Sequence, residues 1–372
     1  MKKKVLVAMS GGVDSSVAAL LVKEAGHDAT GVTMRLYDND TIGSDAKTCC
    51  SLENINDAKS VAKSLGIPFE VCDFRPEFEH KVINKFINAY EIGITPNPCV
   101  DCNRTLKFDE LFRAGQELGQ DYIATGHYAI IEHGADGRYK LKKASDLSKD
   151  QSYVLYSLSQ DQLPHTMFPL GSLHKSETRR IAKEHGFINA NRKESQDICF
   201  IPDGDYAAFI ERYTGKKIPS GNFVDMDGNI LGIHKGIIHY TVGQRKGLGL
   251  ALKRPMYVQY IDVENNEIVL GSNEDLFTSE LTAQNFNWVS IAYPEAPFRA
   301  KARIRYKHKE SPATITPVSE TEVKIVFDEP QRAITKGQSV VVYDGDYVVG
   351  GGTIGQVGAL IIIILIAEKQ ES

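Results

Sequence analysis

The chain has 372 residues, of which 42% are apolar and 24% charged, the profile of a soluble globular protein too long for one ordinary core. Its formal net charge of −5 excludes a molecule that attracts polyanions as a whole, so any nucleic-acid surface must be a local basic patch. The apolar stretch after Met1-Lys2-Lys3-Lys4 runs only from Val5 to Met9 before Gly11-Gly12, too short for the core of a signal peptide. No stretch approaches the roughly 20 apolar residues of a spanning helix. A cytoplasmic location is therefore expected, with no membrane partner and with the six cysteines in a reducing compartment.

Residues 1–212 predict a parallel α/β sheet of alternating strands and helices. Strands are expected over Lys4–Met9, Ala29–Leu36, Phe69–Cys72 and Tyr122–Ala124, and helices over Ser15–Ala25, Asn56–Leu65, Leu106–Leu118 and Lys175–His185. From 213 onward, short alternating segments are separated by turns such as Asp227-Gly228-Asn229, Glu264-Asn265-Asn266 and Asp344-Gly345-Asp346. That pattern predicts a small β-rich central domain over 213–276 and a C-terminal β-barrel over 277–372.

Between the first strand and the first helix lies Ser10-Gly11-Gly12-Val13-Asp14-Ser15-Ser16. Glycines let the backbone approach a phosphate, and the helix N-terminus behind them presents N–H groups to an anion. The loop lacks the Gly-Lys-Ser/Thr ending of a Walker A motif, so no lysine of its own follows the β,γ-phosphates. A plain glycine turn would explain Gly-Gly alone, but the whole heptad resembles the PP-loop of ATP pyrophosphatases, which cleave ATP between the α- and β-phosphates. Ala8 and Met9 lead into the loop. Met34, at the end of the second strand, could pack on an adenine face. Gly126, beyond a later strand, would leave room for the nucleotide beside His127, because ligands in such sheets bind beyond the strands' carboxyl ends. Magnesium is expected with ATP, and Asp14 is the carboxylate placed to serve it or the helix start.

Thr95-Pro96-Asn97-Pro98-Cys99-Val100-Asp101-Cys102-Asn103 is expected to be a proline-braced loop carrying C-x-x-C. Zinc would need two more ligands, and Cys49-Cys50 is poorly spaced to supply them. A redox pair and a reactive thiol over a nucleotide pocket are the other readings. A further lone cysteine stands in Ser195-Gln196-Asp197-Ile198-Cys199-Phe200, where a buried small hydrophobe is the ordinary alternative.

Arg299, Lys301, Arg303, Arg305, Lys307 and Lys309 occupy alternate positions. In a continuous strand all six would share one face. Aligned like charges repel, so an RNA backbone is the expected partner.

Together these motifs, with Thr125-Gly126-His127-Tyr128 and Lys149-Asp150-Gln151-Ser152-Tyr153, stand in the same order as in the tRNA-specific 2-thiouridylase family, which the chain resembles. Arg305-Tyr306 and Gly350-Gly351-Gly352 extend the resemblance through about residue 354. It implies ATP-dependent 2-thiolation of the wobble uridine of tRNA, with AMP and pyrophosphate as products. Cys199 would carry a persulfide received from a cysteine desulfurase or relay protein. Cys102 would be the companion thiol that helps release the sulfur and can form a disulfide with Cys199. Asn97, Pro98 and Cys99 correspond to the segment that meets the target base, and many relatives have Asp where Cys99 stands. His127, Lys149, Asp150, Gln151, Arg305, Tyr306 and Gln338 are implied tRNA contacts. The tRNAs for Lys, Glu and Gln are the implied substrates, and a monomer is expected. An iron–sulfur cluster on Cys99, Cys102 and Cys199 is the alternative use of the thiols. A small-molecule PP-loop synthetase or a non-catalytic RNA-binding module would need neither Cys102 nor Cys199. The apolar run Ala359–Ala367 has no counterpart in the resemblance; it would be a buried last strand or an aggregation-prone tail.

Overall fold

The computed structural model describes residues 2–38, 52–192 and 198–358. Cys49, Cys50, Ser195-Gln196-Asp197 and the apolar tail 359–367 lie outside the described residues. Among those described, no helix is long and apolar enough to cross a membrane.

The first sheet is built on β1 (Lys4–Ala8), whose Val5, Leu6 and Val7 are fully buried. A continuous apolar run of that kind suits a central strand covered on both faces. β2 (Asp28–Arg35), β3 (Phe69–Asp73), β4 (Tyr122–Ala124) and the short β7 (Thr166–Met167) complete the order β3-β2-β1-β4-β7, with every neighbour parallel. The strand order leaves β1 in both directions, so the crevice beyond β1 and β4 is the topological switch point, where such sheets take their ligands. α1 (Val13–Glu24) and α2 (Leu52–Leu65) cover one face, burying Val17, Ala18, Leu20, Ala58 and Val61.

The C-x-x-C segment is not a loop. Pro98–Cys102 forms a short helix, α3, whose N-cap Asn97 accepts a hydrogen bond from the Val100 N–H at 3.4 Å. An N-cap Asn followed by Pro at the first helical position is a favourable helix start. The chain continues as a wide π-type helix over Asn103–Glu110 and then an α-helix over Leu111–Glu117. The expected helix Leu106–Leu118 therefore starts earlier and changes pitch midway.

In the central region α5 (Tyr206–Thr214) follows α4 (Lys175–Glu184) and precedes a four-stranded sheet. Its strands are β8 (Gly221–Asp225), β9 (Ile230–His234), β10 (Tyr257–Asp262) and β11 (Glu267–Gly271), in the order β10-β11-β8-β9. The last part comprises β12 (Phe277–Trp288), β13 (Phe298–Arg303), β14 (Ser311–Ser319), β15 (Glu322–Arg332), β16 (Ser339–Asp344) and β17 (Tyr347–Val357). These six close into a barrel through β12–β17 pairing, which removes the exposed sheet edges. A hairpin from the first region, β5 (Ile130–His133) and β6 (Tyr139–Lys142), adds to the barrel sheet at Tyr347↔Lys142.

The six alternating cations do not lie on one continuous strand. β13 ends at Arg303, and the chain then turns, with the His308 N–H bonded to the Arg305 carbonyl at 3.0 Å. Arg299, Lys301 and Arg303 share the strand; Arg305, Lys307 and Lys309 do not. Arg299 pairs with Asp328 at 2.5 Å. Arg303 is largely buried, donating to the carbonyls of Tyr306 and His308 at 2.6 and 3.0 Å. Arg305 donates to the Arg332 carbonyl at 2.7 Å. The turn draws two of the guanidiniums inward, so the six cations make no single face.

Candidate active site

A cavity of about 370 Å³ opens beyond β1 and β4. Ala8, Met9, Ser10, Asp14 and Ser15 line it from the first strand and its loop, Met34 from the end of β2, and Gly126, His127 and Gln151 from the segments after β4. Pro98, Cys99 and Cys102 reach it from α3, and Cys199 from a segment nearly a hundred residues later in sequence. Cys99 and Cys102, three residues apart on a helical turn, share a face. Cys99 is exposed, Cys102 buried and Cys199 half-buried.

The loop folds on itself through its serines. The Ser10 N–H donates to Ser15 Oγ at 3.1 Å, and both the Ser15 and Ser16 hydroxyls donate to the Gly12 carbonyl at 3.0 Å. Gly12 is the N-cap of α1 and offers no side-chain cap, so orphan N–H groups of the first turn remain for an anion. Gly11, Gly12 and Val13 are not among the residues that line the cavity. At Gly11 φ is +75°, and a Cβ would lie 2.4 Å from the Asn54 carbonyl oxygen, so the fit against α2 already requires glycine. Gly126 has a similar cause: a Cβ there would meet the Asp14 and Ser15 backbone at 2.8 Å. The first turn of α1, rather than a nucleotide alone, excludes a side chain at that position.

His127 is buried, with Nδ1 2.7 Å from the Thr125 hydroxyl. Burial, and secondly the charge of Lys107, holds its pKa well below 6.5, so the ring is neutral at physiological pH. The Gln151 side chain accepts from the Tyr128 N–H at 2.9 Å. The Asp150 carboxylate is buried, accepting from the Ala144 and Ser152 N–H groups at 3.1 and 3.2 Å and from the Ser152 hydroxyl at 2.8 Å; neighbouring Lys149 is half-buried. The Tyr306 hydroxyl donates to the Asp150 carbonyl at 3.1 Å, tying the barrel's turn to this segment. Gln338 Nε2 donates to the Thr95 and Pro96 carbonyls at 3.0 and 3.1 Å. It steadies the approach to Asn97, which caps α3 outside the cavity wall. Of the implied tRNA contacts, Pro98, Cys99, His127 and Gln151 line the cavity, Asp150, Tyr306 and Gln338 join the first region to the barrel, Asn97 caps α3, Arg305 is tied within the barrel to Arg332, and Lys149 stands beside Asp150.

Several residues escaped the sequence reading. Lys107 lines the cavity. Asn189 donates to the Gly11 carbonyl at 2.8 Å and to the Ser16 hydroxyl at 2.9 Å. Lys175 donates to both oxygens of Asp14 at 2.6 and 2.7 Å. The pattern His174-x-x-Glu177 marks the start of α4, where the Glu177 carboxylate accepts from the His174 N–H at 2.8 Å. No local pattern connects Lys175 to an aspartate 161 residues away.

Among the described residues no group of three or more His, Cys, Asp or Glu side chains is placed to hold a metal ion. Cys99, Cys102 and Cys199 do not make up such a group. Among the described lining residues Asp14 is the one carboxylate, which fits magnesium arriving with the phosphates of ATP.

A family model described as the tRNA methyl transferase HUP domain matches residues 3–203. Models described as the tRNA methyl transferase PRC-barrel domain and the aminomethyltransferase beta-barrel domain match 207–272 and 278–354. The tRNA-specific 2-thiouridylase MnmA of Clostridioides difficile (strain 630) is 54% identical over 355 residues, covering 95% of this chain and 98% of that protein. The protein of the same name from Lachnoclostridium phytofermentans is 53% identical over 355 residues, with 95% and 99% covered. That from Acetivibrio thermocellus is 52% identical over 360 residues, also with 95% and 99% covered. Identity of this size along nearly the whole of both chains makes this chain a member of the tRNA-specific 2-thiouridylase MnmA family, the tRNA-uridine 2-sulfurtransferases.

Proposed function

We propose that the enzyme converts the wobble uridine of the tRNAs for Lys, Glu and Gln to 2-thiouridine, using ATP and a cysteine persulfide. The observation that carries this reading is the convergence of the Gly-Gly loop, Cys102 and Cys199 on one cavity. ATP binds along Ala8–Ser15, with Met34 and Gly126 beside the nucleoside. The C2 carbonyl of uridine is a poor electrophile. Its oxygen attacks the α-phosphorus of ATP, pyrophosphate leaves, and the C2 oxygen becomes part of an AMP leaving group. Reaching that carbon requires the base to turn out of its stack, towards Asn97, Pro98 and Cys99.

Cys199 enters this step as a persulfide loaded by a cysteine desulfurase or a relay protein. The Cys102 thiolate attacks the inner sulfur, forming a Cys102–Cys199 disulfide and releasing hydrosulfide. Hydrosulfide adds at C2, AMP departs with the original oxygen, and a proton is lost to give the thiocarbonyl. A cellular thiol then reduces the disulfide. Burial of Cys102 and partial exposure of Cys199 suit these roles: the carrier must meet a donor, and the attacking thiol need not. We assign catalysis to 1–212, a central module to 213–276 and the barrel to 277–372, in a cytoplasmic monomer. His127, Lys149, Asp150, Gln151, Arg305, Tyr306 and Gln338 belong to the tRNA-facing surface.

Nucleotide chromatography of reactions containing tRNA, ATP and a persulfide donor, with nucleoside mass analysis of the tRNA, tests this reading. AMP, pyrophosphate and 2-thiouridine are expected in equal amounts. ADP as the main product, or sulfur at another uridine position, would overturn it.

A further inference from the structure

The Gly-Gly loop has no lysine, and among the described residues lining the cavity Lys107 is the only Lys or Arg. A nucleoside triphosphate brings several negative charges, and Asp14 adds another to the same wall. Phosphate beside a carboxylate is unfavourable unless a cation stands between them.

One does. Lys175 opens α4, its turn set by the capping box of His174 and Glu177. Its ammonium grips both Asp14 oxygens at 2.6 and 2.7 Å, and its side chain is 11% exposed against 32% for Asp14. Tyr128 also donates to Asp14 at 3.0 Å, and its ring lies 5.6 Å from the ammonium. Lys175 is thus one hydrogen bond from the cavity wall. Arg192 also approaches the loop, 3.3 Å from the Gly11 carbonyl, but its guanidinium is paired with Asp57 at 2.8 Å.

An ion pair between α1 and α4 would by itself add little stability, because removing both charges from water costs about what their attraction returns. A lysine is nevertheless well suited to a second task here. Its ammonium has three donors on a flexible stem, so it can keep one bond to Asp14 while giving others to phosphate oxygens.

We propose that Lys175 supplies the phosphate-binding ammonium that the loop lacks, contacting the β- and γ-phosphates of ATP and the pyrophosphate that leaves. This rests on the reading of the cavity as an ATP site, and it adds a residue outside the loop motif to that site. The ammonium is held by Asp14 when no nucleotide is bound and is shared with the phosphates when one is.

The test is calorimetric titration of the full-length protein and its Lys175→Gln variant with ATP, inorganic pyrophosphate and AMP, each with magnesium. Charge-assisted bonds to phosphate predict a roughly ten- to hundredfold loss of affinity for ATP and pyrophosphate in the variant, with AMP affinity within about twofold of wild type. Lys175→Arg, which keeps the charge, should recover part of the loss. Pyrophosphate and ATP affinities unchanged in folded Lys175→Gln would overturn the assignment while leaving the ATP site intact; wild-type protein that binds no ATP would overturn both. Co-crystals of the unaltered chain with an α,β-methylene ATP analogue do not depend on a variant folding. Lys175 Nζ within about 3.2 Å of a β- or γ-phosphate oxygen is expected; an ammonium still bound to Asp14 alone would overturn the proposal.

Discussion

The Tyr37 hydroxyl donates to the Cys199 carbonyl at 2.7 Å, linking residues 162 positions apart in sequence. Tyr37 lies just beyond β2 and is 3% exposed. Its ring is 5.6 Å from that of Phe78, which in turn sits 5.5 Å from Phe200. The residue after the proposed sulfur carrier is therefore anchored in an aromatic cluster at the edge of the nucleotide crevice.

Tyr37→Phe keeps the packing and removes one hydrogen bond, a change of about 1 kcal/mol. ATP and tRNA affinities should stay at wild-type values while single-turnover thiolation slows by roughly three- to tenfold. An unaltered single-turnover rate would show that the position of Cys199 does not depend on this bond.

Gly11 and Gly12 should differ. Gly11→Ala must place a Cβ 2.4 Å from the Asn54 carbonyl at a φ of +75°, costing about 1–3 kcal/mol through overpacking, with backbone strain in addition. At Gly12 a Cβ would meet only Ser10 Oγ at 3.4 Å. Thermal melts should show a clear loss for Gly11→Ala and a small one for Gly12→Ala. Equal losses would mean that contact with α2 does not govern Gly11.

On the barrel, the largely buried Arg303 lies 3.7 Å from Asp150 and stands 5.8 and 5.7 Å from the ring centres of Tyr153 and Tyr343. Arg303→Ala should therefore lower stability. Replacing the exposed Lys301, Lys307 and Lys309 together by Ala should leave the melt unchanged. It should flatten the salt dependence of tRNA binding by roughly one unit of log–log slope per lost phosphate contact. A wild-type slope in the triple variant would mean that these lysines are only solvated surface.

Acid should destabilise the protein through its histidines. Burial is the first cause that lowers the pKa of His127, His234 and His308; Lys107, His239 and the pair Arg305 and Arg303 respectively add to it. Below about pH 6.5 the unfolded chain binds protons that these folded rings refuse, so stability is complete above that pH and falls as pH drops towards the folded pKa values. For His127, whose pKa lies furthest below its ordinary value, the slope approaches about 1.4 kcal/mol per pH unit. Urea midpoints should fall between pH 7 and 5, and less steeply in His127→Gln. The same slope in that variant would contradict a neutral His127.

The parallel sheet was legible because β1 is an uninterrupted apolar run and its loop is a recognisable heptad. The Cys-x-x-Cys helix could have been foreseen: Asn97 before Pro98 is a helix start, but the two prolines suggested a rigid loop. The cation stripe misled for a physical reason. Burial continues to alternate through Ile304, which is 2% exposed, while hydrogen bonding has already left the strand at Arg303. In the sequence Gly126 and Gly11 suggest space for a ligand, whereas their neighbours are other backbones, which no local pattern reveals. Lys175 was illegible because its partner Asp14 is brought to it only by the packing of α4 on α1.

The central claim is that Cys199 carries the sulfur and Cys102 releases it onto an adenylated uridine. The direct measurement loads wild type, Cys199→Ser and Cys102→Ser with radiolabelled sulfur from a cysteine desulfurase, then adds ATP and tRNA and follows label on protein and RNA separately. Wild type should pass label to tRNA, Cys102→Ser should hold it on protein, and Cys199→Ser should take up none, while both variants still release pyrophosphate when given tRNA. Stable label on Cys199→Ser with none on Cys102→Ser would contradict the account and exchange the two roles.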